Sequence, residues 1–194
     1  STFLSDPLRY AAAISEVLQK SVLVGGEQYQ KVAGRIKSSV EHMSAEEILE
    51  TESFPELRLI GRIHQGILSR DKNSPLGLLS QLEMCQQTSD WTCVVMTKSP
   101  ETIVVCLPPK TIDKATGGAH PFFLLDSHPR PHLFGGEGAY ARVHENLTAL
   151  TQSLDQIFPY TELSADVPEL MAAMYNSFDL YPLKICREDE QLEI

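Results

Sequence analysis

Three short runs rich in β-branched and aromatic residues follow one another closely: Trp91-Thr92-Cys93-Val94-Val95-Met96-Thr97, Thr102-Ile103-Val104-Val105-Cys106-Leu107, and Phe122-Phe123-Leu124-Leu125-Asp126. Each is too short for a helix and has strand composition. Each ends in turn residues: Lys98-Ser99-Pro100, Pro108-Pro109 and Pro129. Strands this near in sequence pair most readily as an antiparallel meander. Apolar residues recur at helical spacing on both sides of this region. Helices, then a sheet, then helices predict an α+β fold with segregated layers.

Before the sheet, Asp6-Pro7 suits a helix start, with Leu8, Ala11, Ala12, Ile14, Val17 and Leu18 as one apolar face to about Lys20. Gly25-Gly26 is expected to end that helix, and a more polar one to run from Glu27 to Ser38. Ser44-Ala45-Glu46-Glu47 fits a capping box. A segment from Phe54-Pro55 carries Leu57, Ile60, Ile63 and Ile67 at mixed helical spacing, and Pro75 to Gln87 reads as a helix. After the sheet come a Pro/Gly loop (129–138), a fourth strand (139–143), an amphipathic helix from Asn146 to Phe158, and a helix from Pro168 to Tyr175. Phe178 to Leu183 is a closing strand or an extended tail. Phe122, Leu124, Val104 and Val94 are expected to be buried, with Leu8, Ala12 and Leu18 against the sheet. Residues 1–184 read as one domain and 185–194 as an acidic tail.

Formal net charge is -10, from 16 basic and 26 acidic residues, which argues against nucleic-acid binding. No apolar run approaches the ~20 residues of a membrane span. Ser1 to Asp6 carry no basic stretch of a secretory signal, and a start at serine suggests an excerpt of a longer polypeptide. The four cysteines, Cys85, Cys93, Cys106 and Cys186, form no C-x-x-C pair; Cys93 and Cys106 read as thiols buried in the sheet. An intracellular protein, cytoplasmic or nuclear, is expected.

The third strand ends in Asp126-Ser127-His128-Pro129-Arg130. Residues two apart in a strand face the same way, so Asp126 and His128 are expected side by side. A carboxylate beside an imidazole fixes its tautomer and stabilises its charged form, as a general base needs. The same spacing also suits a polar strand end with no chemistry. His120 and His132 lie near, but His120 is about 20 Å back along the strand, and neither a metal nor a cofactor is expected. Gly135-Gly136-Glu137-Gly138 lacks the Lys and Ser/Thr of a phosphate loop and reads as a turn. Arg130 and Arg142 read as solvated surface. Asn146-Leu147-Thr148 matches a glycosylation acceptor that an intracellular protein would not use.

From Trp91 to Pro159 the ordered strands, with Asp126-Ser127-His128-Pro129-Arg130 and Gly138-Ala139-Tyr140 before the Asn146 helix, resemble the herpesvirus large-tegument-type deubiquitinases and their cellular relatives, fungal ones among them. The resemblance implies a papain-like cysteine-peptidase fold, with a nucleophilic Cys opening an N-terminal helix packed on the sheet, His128 as base and Asp126 as its orienter. It places the nucleophile at Asp6, within Ser5-Asp6-Pro7-Leu8, and no cysteine precedes Cys85. Asp6 has no thiol for acyl transfer. The expectation is a catalytically inactive deubiquitinase-like domain that binds ubiquitin, a ubiquitin-like protein or another protein. One alternative is an active cysteine deubiquitinase whose nucleophile lies outside this segment or is Cys85 or Cys93. Another is a structural domain with a vestigial dyad.

Overall fold

The computed structural model describes residues 7–36, 45–50, 54–111 and 120–186. The β-rich runs form the expected meander: β3 (Thr92–Lys98) pairs with β4 (Glu101–Leu107) along its whole length, and β4 with β5 (Phe122–Asp126), all antiparallel. The sheet continues through β6 (Tyr140–His144) on β5. On the other side of β3 lies β7 (Ser177–Ile185), in register from Cys93↔Leu183 to Thr97↔Asp179. The far edge of β7 takes both β1 (Leu57–Leu59) and β2 (His64–Ile67), giving the order β1-β7-β3-β4-β5-β6 with β2 also on β7.

One expectation fails here. The segment after Phe54-Pro55 is two strands rather than helix, with Gly61 at φ 69° between them. Its apolar residues pair with a strand more than a hundred residues away, which no local spacing reveals. That partner, β7, is the closing strand rather than an extended tail, and it lies inside the sheet.

One face of the sheet holds the core. Val94, Met96, Ile103, Val105, Leu107, Leu124, Phe178 and Leu180 are all buried there. Helices α3 (Leu78–Cys85) and α5 (Leu147–Ile157) cover this face with Leu78, Leu82, Leu150, Leu154 and Ile157. Asn146 caps α5 by accepting from the Ala149 N–H at 2.8 Å. Gly66 allows close approach: a Cβ there would lie 2.1 Å from the Phe178 ring. Strand alternation puts Val104 on the opposite, half-buried face with Cys93, Val95, Cys106 and Phe123, so its expected burial in the core is corrected. On that face Tyr181 donates to Glu46 of α2 (Ala45–Glu50) at 2.6 Å, and Trp91 packs on Phe123 with ring centroids 5.9 Å apart.

Helix α1 runs unbroken from Pro7 to Ile36 through Gly25-Gly26, so the expected break is also corrected. Two glycines lower helix propensity by ~1 kcal/mol each, and the 28 flanking helical residues outweigh that. Among its described side chains Val32 is buried and Val17 and Leu23 are exposed. Ser15, Leu18, Gln19 and Leu23 line a cavity of about 470 Å³ with Ala139, just before β6, which puts Leu18 beside the β6 edge of the sheet. The side chains of Leu8 and Ala12 lie outside the described residues.

Leu124→Ala is expected to destabilise the protein by ~2–5 kcal/mol in chemical denaturation. Space is open around Gly25 and Gly26. Each Gly→Ala change there should therefore raise stability by ~0.5–1 kcal/mol if the helix is continuous. A loss of stability would place a turn at that point.

Candidate functional site

Strand β5 ends at Asp126, whose side chain faces the covered side of the sheet and is 0% exposed. A buried carboxylate must be hydrogen-bonded or ionically paired. Asp126 is both, four times over. Its Oδ1 accepts from the His128 backbone N–H at 2.8 Å and lies 2.8 Å from His128 Nδ1. Its Oδ2 accepts from Arg130 Nε at 3.0 Å and from the Tyr140 hydroxyl at 3.1 Å. Arg130 in turn donates to Glu101 at the start of β4.

The sequence pairs Asp126 with His128 by strand alternation; the structure brings them together differently. The strand stops at Asp126 and the chain bends at Ser127 and His128. The carboxylate accepts from the backbone N–H two residues on, an Asx turn, and the same oxygen meets the ring. The His128 ring has Nδ1 on a buried carboxylate, while its side chain is 46% exposed. With Asp126 ionised, Nδ1 carries the proton and Nε2 presents a lone pair.

Burial is the largest single influence on the Asp126 pKa and pushes it up. The bonds from the His128 backbone and ring, with the bond and charge of Arg130, together outweigh burial and hold it below the ordinary value. Tyr140 is pushed up, first by burial and then by the Asp126 charge and hydrogen bond, so its hydroxyl stays a donor. For Arg130, burial acts downward, but bonds to Glu101 and Asp126 raise it on balance.

The expected solvated role of Arg130 is corrected: it is 9% exposed and 5.9 Å from the Phe158 ring centroid. Arg142 lies over the Phe134 ring at 4.0 Å. The sequence reading did not find the roles of Glu101, Arg130 and Tyr140. Register was the usable signal for Tyr140, which sits directly opposite Asp126. Short helix α4 (Pro131–Phe134) follows the site, and Gly135 and Gly136 take φ of 70° and 80°, a left-handed turn that favours glycine. His120 contacts Trp91 at 6.0 Å, at the start of β5 rather than beside His128. Among the described residues, no three His, Cys, Asp or Glu side chains converge as metal ligands.

All four cysteines lie away from His128. Val104 pairs with Leu125, so Asp126 stands one step further, level with Ile103. Cys106 is three residues from that level, about 10 Å along the strand, and on the opposite face with Cys93. Cys85 ends α3 at the other end of β4, where the following Gln86 donates to the Pro108 carbonyl at 2.6 Å. Burial pushes its thiol up to about 12, so it is neither placed nor ionised for attack on a carbonyl. Cys186 follows β7 at that same far end. Asp6 lies outside the described residues.

No protein-family model matches the chain, and a comparison with curated proteins finds no match. Among solved structures, the chain is similar to the ubiquitin-specific protease encoded by murine cytomegalovirus tegument protein M48, determined in complex with a ubiquitin-based suicide substrate. Identity is 14%, the TM-score is 0.49, and the match covers 84% of this chain and 62% of that one. Among the described residues, no helix is long and apolar enough to cross a membrane.

Asp126→Asn removes the charge facing a buried guanidinium and is expected to cost ~3 kcal/mol, against ~1 kcal/mol for Tyr140→Phe, in urea denaturation. Acid should destabilise the fold in two stages. His144, buried and with Nε2 unpartnered, has its pKa lowered by burial and then by Arg142; burial and then Arg62 lower that of His64. The unfolded chain then binds more protons, so stability falls as pH drops from about 7 to about 5. Asp126, also lowered, adds its loss only below the ordinary carboxylate range. His144→Gln should flatten the first stage and leave the second.

Proposed function

We propose that this chain is a deubiquitinase-like domain of papain-like architecture that retains the base and its orienter, lacks the thiol, and serves as a binding module for ubiquitin or a ubiquitin-like protein. The observation that carries this reading is the combination at the β5 end. Asp126 and His128 stand in contact at 2.8 Å, yet none of the chain's four cysteines lies at that end of the sheet. The resemblance from Trp91 to Pro159 supplies the class of partner. Asp6, where it places the nucleophile, offers a carboxylate that cannot form a thioester.

A protein partner also suits the surface at the dyad's end of the sheet. Helix α6 (Glu169–Tyr175) leads into β7 there, beside Lys98, which donates to the Tyr175 carbonyl at 3.1 Å. It exposes Leu170, Met171, Met174 and Tyr175 by 55–73%, about three strand spacings or ~14 Å across the sheet from β5. Grouped apolar side chains of this size mark interaction surfaces. Exposed Asp166 and Glu169 precede them in the chain, and the chain carries -10 overall, which complements a partner with a basic tail.

Titrating isotope-labelled ubiquitin with the protein should give chemical-shift changes that weaken with added salt. Leu170→Asp with Met174→Asp should weaken binding by about tenfold or more. No change up to millimolar protein would remove ubiquitin as the partner. Ubiquitin bearing a C-terminal electrophile should form no adduct. An adduct on Cys85 or Cys93 that His128→Ala abolishes would show an active enzyme instead.

A further inference from the structure

Cys93 and Cys106 are directly opposite each other on β3 and β4, with Sγ atoms 3.6 Å apart and no bond between them. Both were expected in the sheet interior. They lie instead on the half-buried face, away from the core that α3 and α5 cover. Directly opposed residues of antiparallel strands have Cα atoms ~4.5–5.5 Å apart, inside the span a disulfide bridges. Closing the bond therefore requires the sulfurs to approach by side-chain rotation, with the register kept.

From this geometry we infer that Cys93 and Cys106 form a reversible redox modification site, oxidised to a cross-strand disulfide by a low-molecular-weight disulfide such as oxidised glutathione. The thiolate of one of the pair attacks one sulfur of the small disulfide. That S–S bond breaks, one small thiolate leaves and takes up a proton, and a mixed disulfide remains on that cysteine. The other cysteine then loses its proton to water, attacks the protein sulfur of the mixed disulfide and displaces the second small thiolate. Two protein thiols are oxidised and one small disulfide is reduced to two thiols.

The two thiols share one hydrogen bond, in which either sulfur can donate, so the first proton lost leaves a thiolate held by the thiol that remains. The thiolate is the attacking group and the neighbouring thiol the resolving one. Cys85, raised to about 12 by burial within the core, is not a competitor. The site is independent of the ubiquitin reading, since it uses neither His128 nor α6.

The test is to incubate the native protein with oxidised glutathione, quench with acid, and map peptides without reduction. Wild type should show Cys93 linked to Cys106, with two hydrogens lost and no glutathione retained. Cys106→Ser should keep one glutathione on Cys93, Cys93→Ser should keep one on Cys106, and each single variant should react at least threefold more slowly than wild type. Glutathione retained on wild type, a bridge to Cys85 or Cys186, or no reaction at all would overturn the inference. The wild-type map decides the matter even if a variant fails to fold.

Discussion

The buried carboxylate of Asp126 is the interaction on which this end of the molecule depends. Without partners, a charge on the covered face of a sheet would be strongly destabilising. Four donors from four groups offset that cost: a backbone N–H, an imidazole, a guanidinium and a phenol. Two come from His128 and one each from Arg130 and Tyr140, so one carboxylate fixes the bend after β5, the pose of His128, the burial of Arg130 and the β5–β6 pairing at Tyr140. Glu101 extends the network to β4. The network holds its shape only while Asp126 is ionised, and its donors are what keep it ionised.

The sheet makes this possible by being covered unequally. The α3–α5 side is a dry core of aliphatic and aromatic residues, and Asp126 sits at its end, where the strand stops and the chain turns outward. Its ring partner is tethered at Nδ1 while its side chain stays half exposed. The opposite face is only partly covered, which leaves Cys93 and Cys106 facing each other at half-buried positions. The two chemically distinctive groups of the chain thus lie on opposite faces of the same sheet. This separation is why the thiols do not complete the His128 site.

What was legible in the sequence follows the range of the interactions involved. The β3–β4–β5 meander, the fourth strand and the Asn146-capped helix rest on local composition, turns and caps, and their bounds differ from expectation by a few residues. The pairing of β7 with β1, β2 and β3 joins segments far apart in the chain, so the spacing of Leu57 to Ile67 looks helical and Phe178 to Leu183 reads equally as strand or tail. Gly25-Gly26 was overweighted because two glycines can be carried by a long helix. Asp126 and His128 were visible as a pair, though the contact comes from a turn rather than from strand parity. Arg130 was missed because a surface arginine and a buried, paired one have the same sequence signature.

The central claim is that Asp126 holds the His128 imidazole in one tautomer with Nε2 free to accept a proton. A long-range nitrogen–proton NMR spectrum of the His128 ring, recorded at alkaline pH, measures this directly. A protonated Nδ1 and a bare Nε2 are expected in the native protein, with loss of that preference in Asp126→Asn. A proton on Nε2 in the native protein, or a tautomer mixture that Asp126→Asn leaves unchanged, would contradict it.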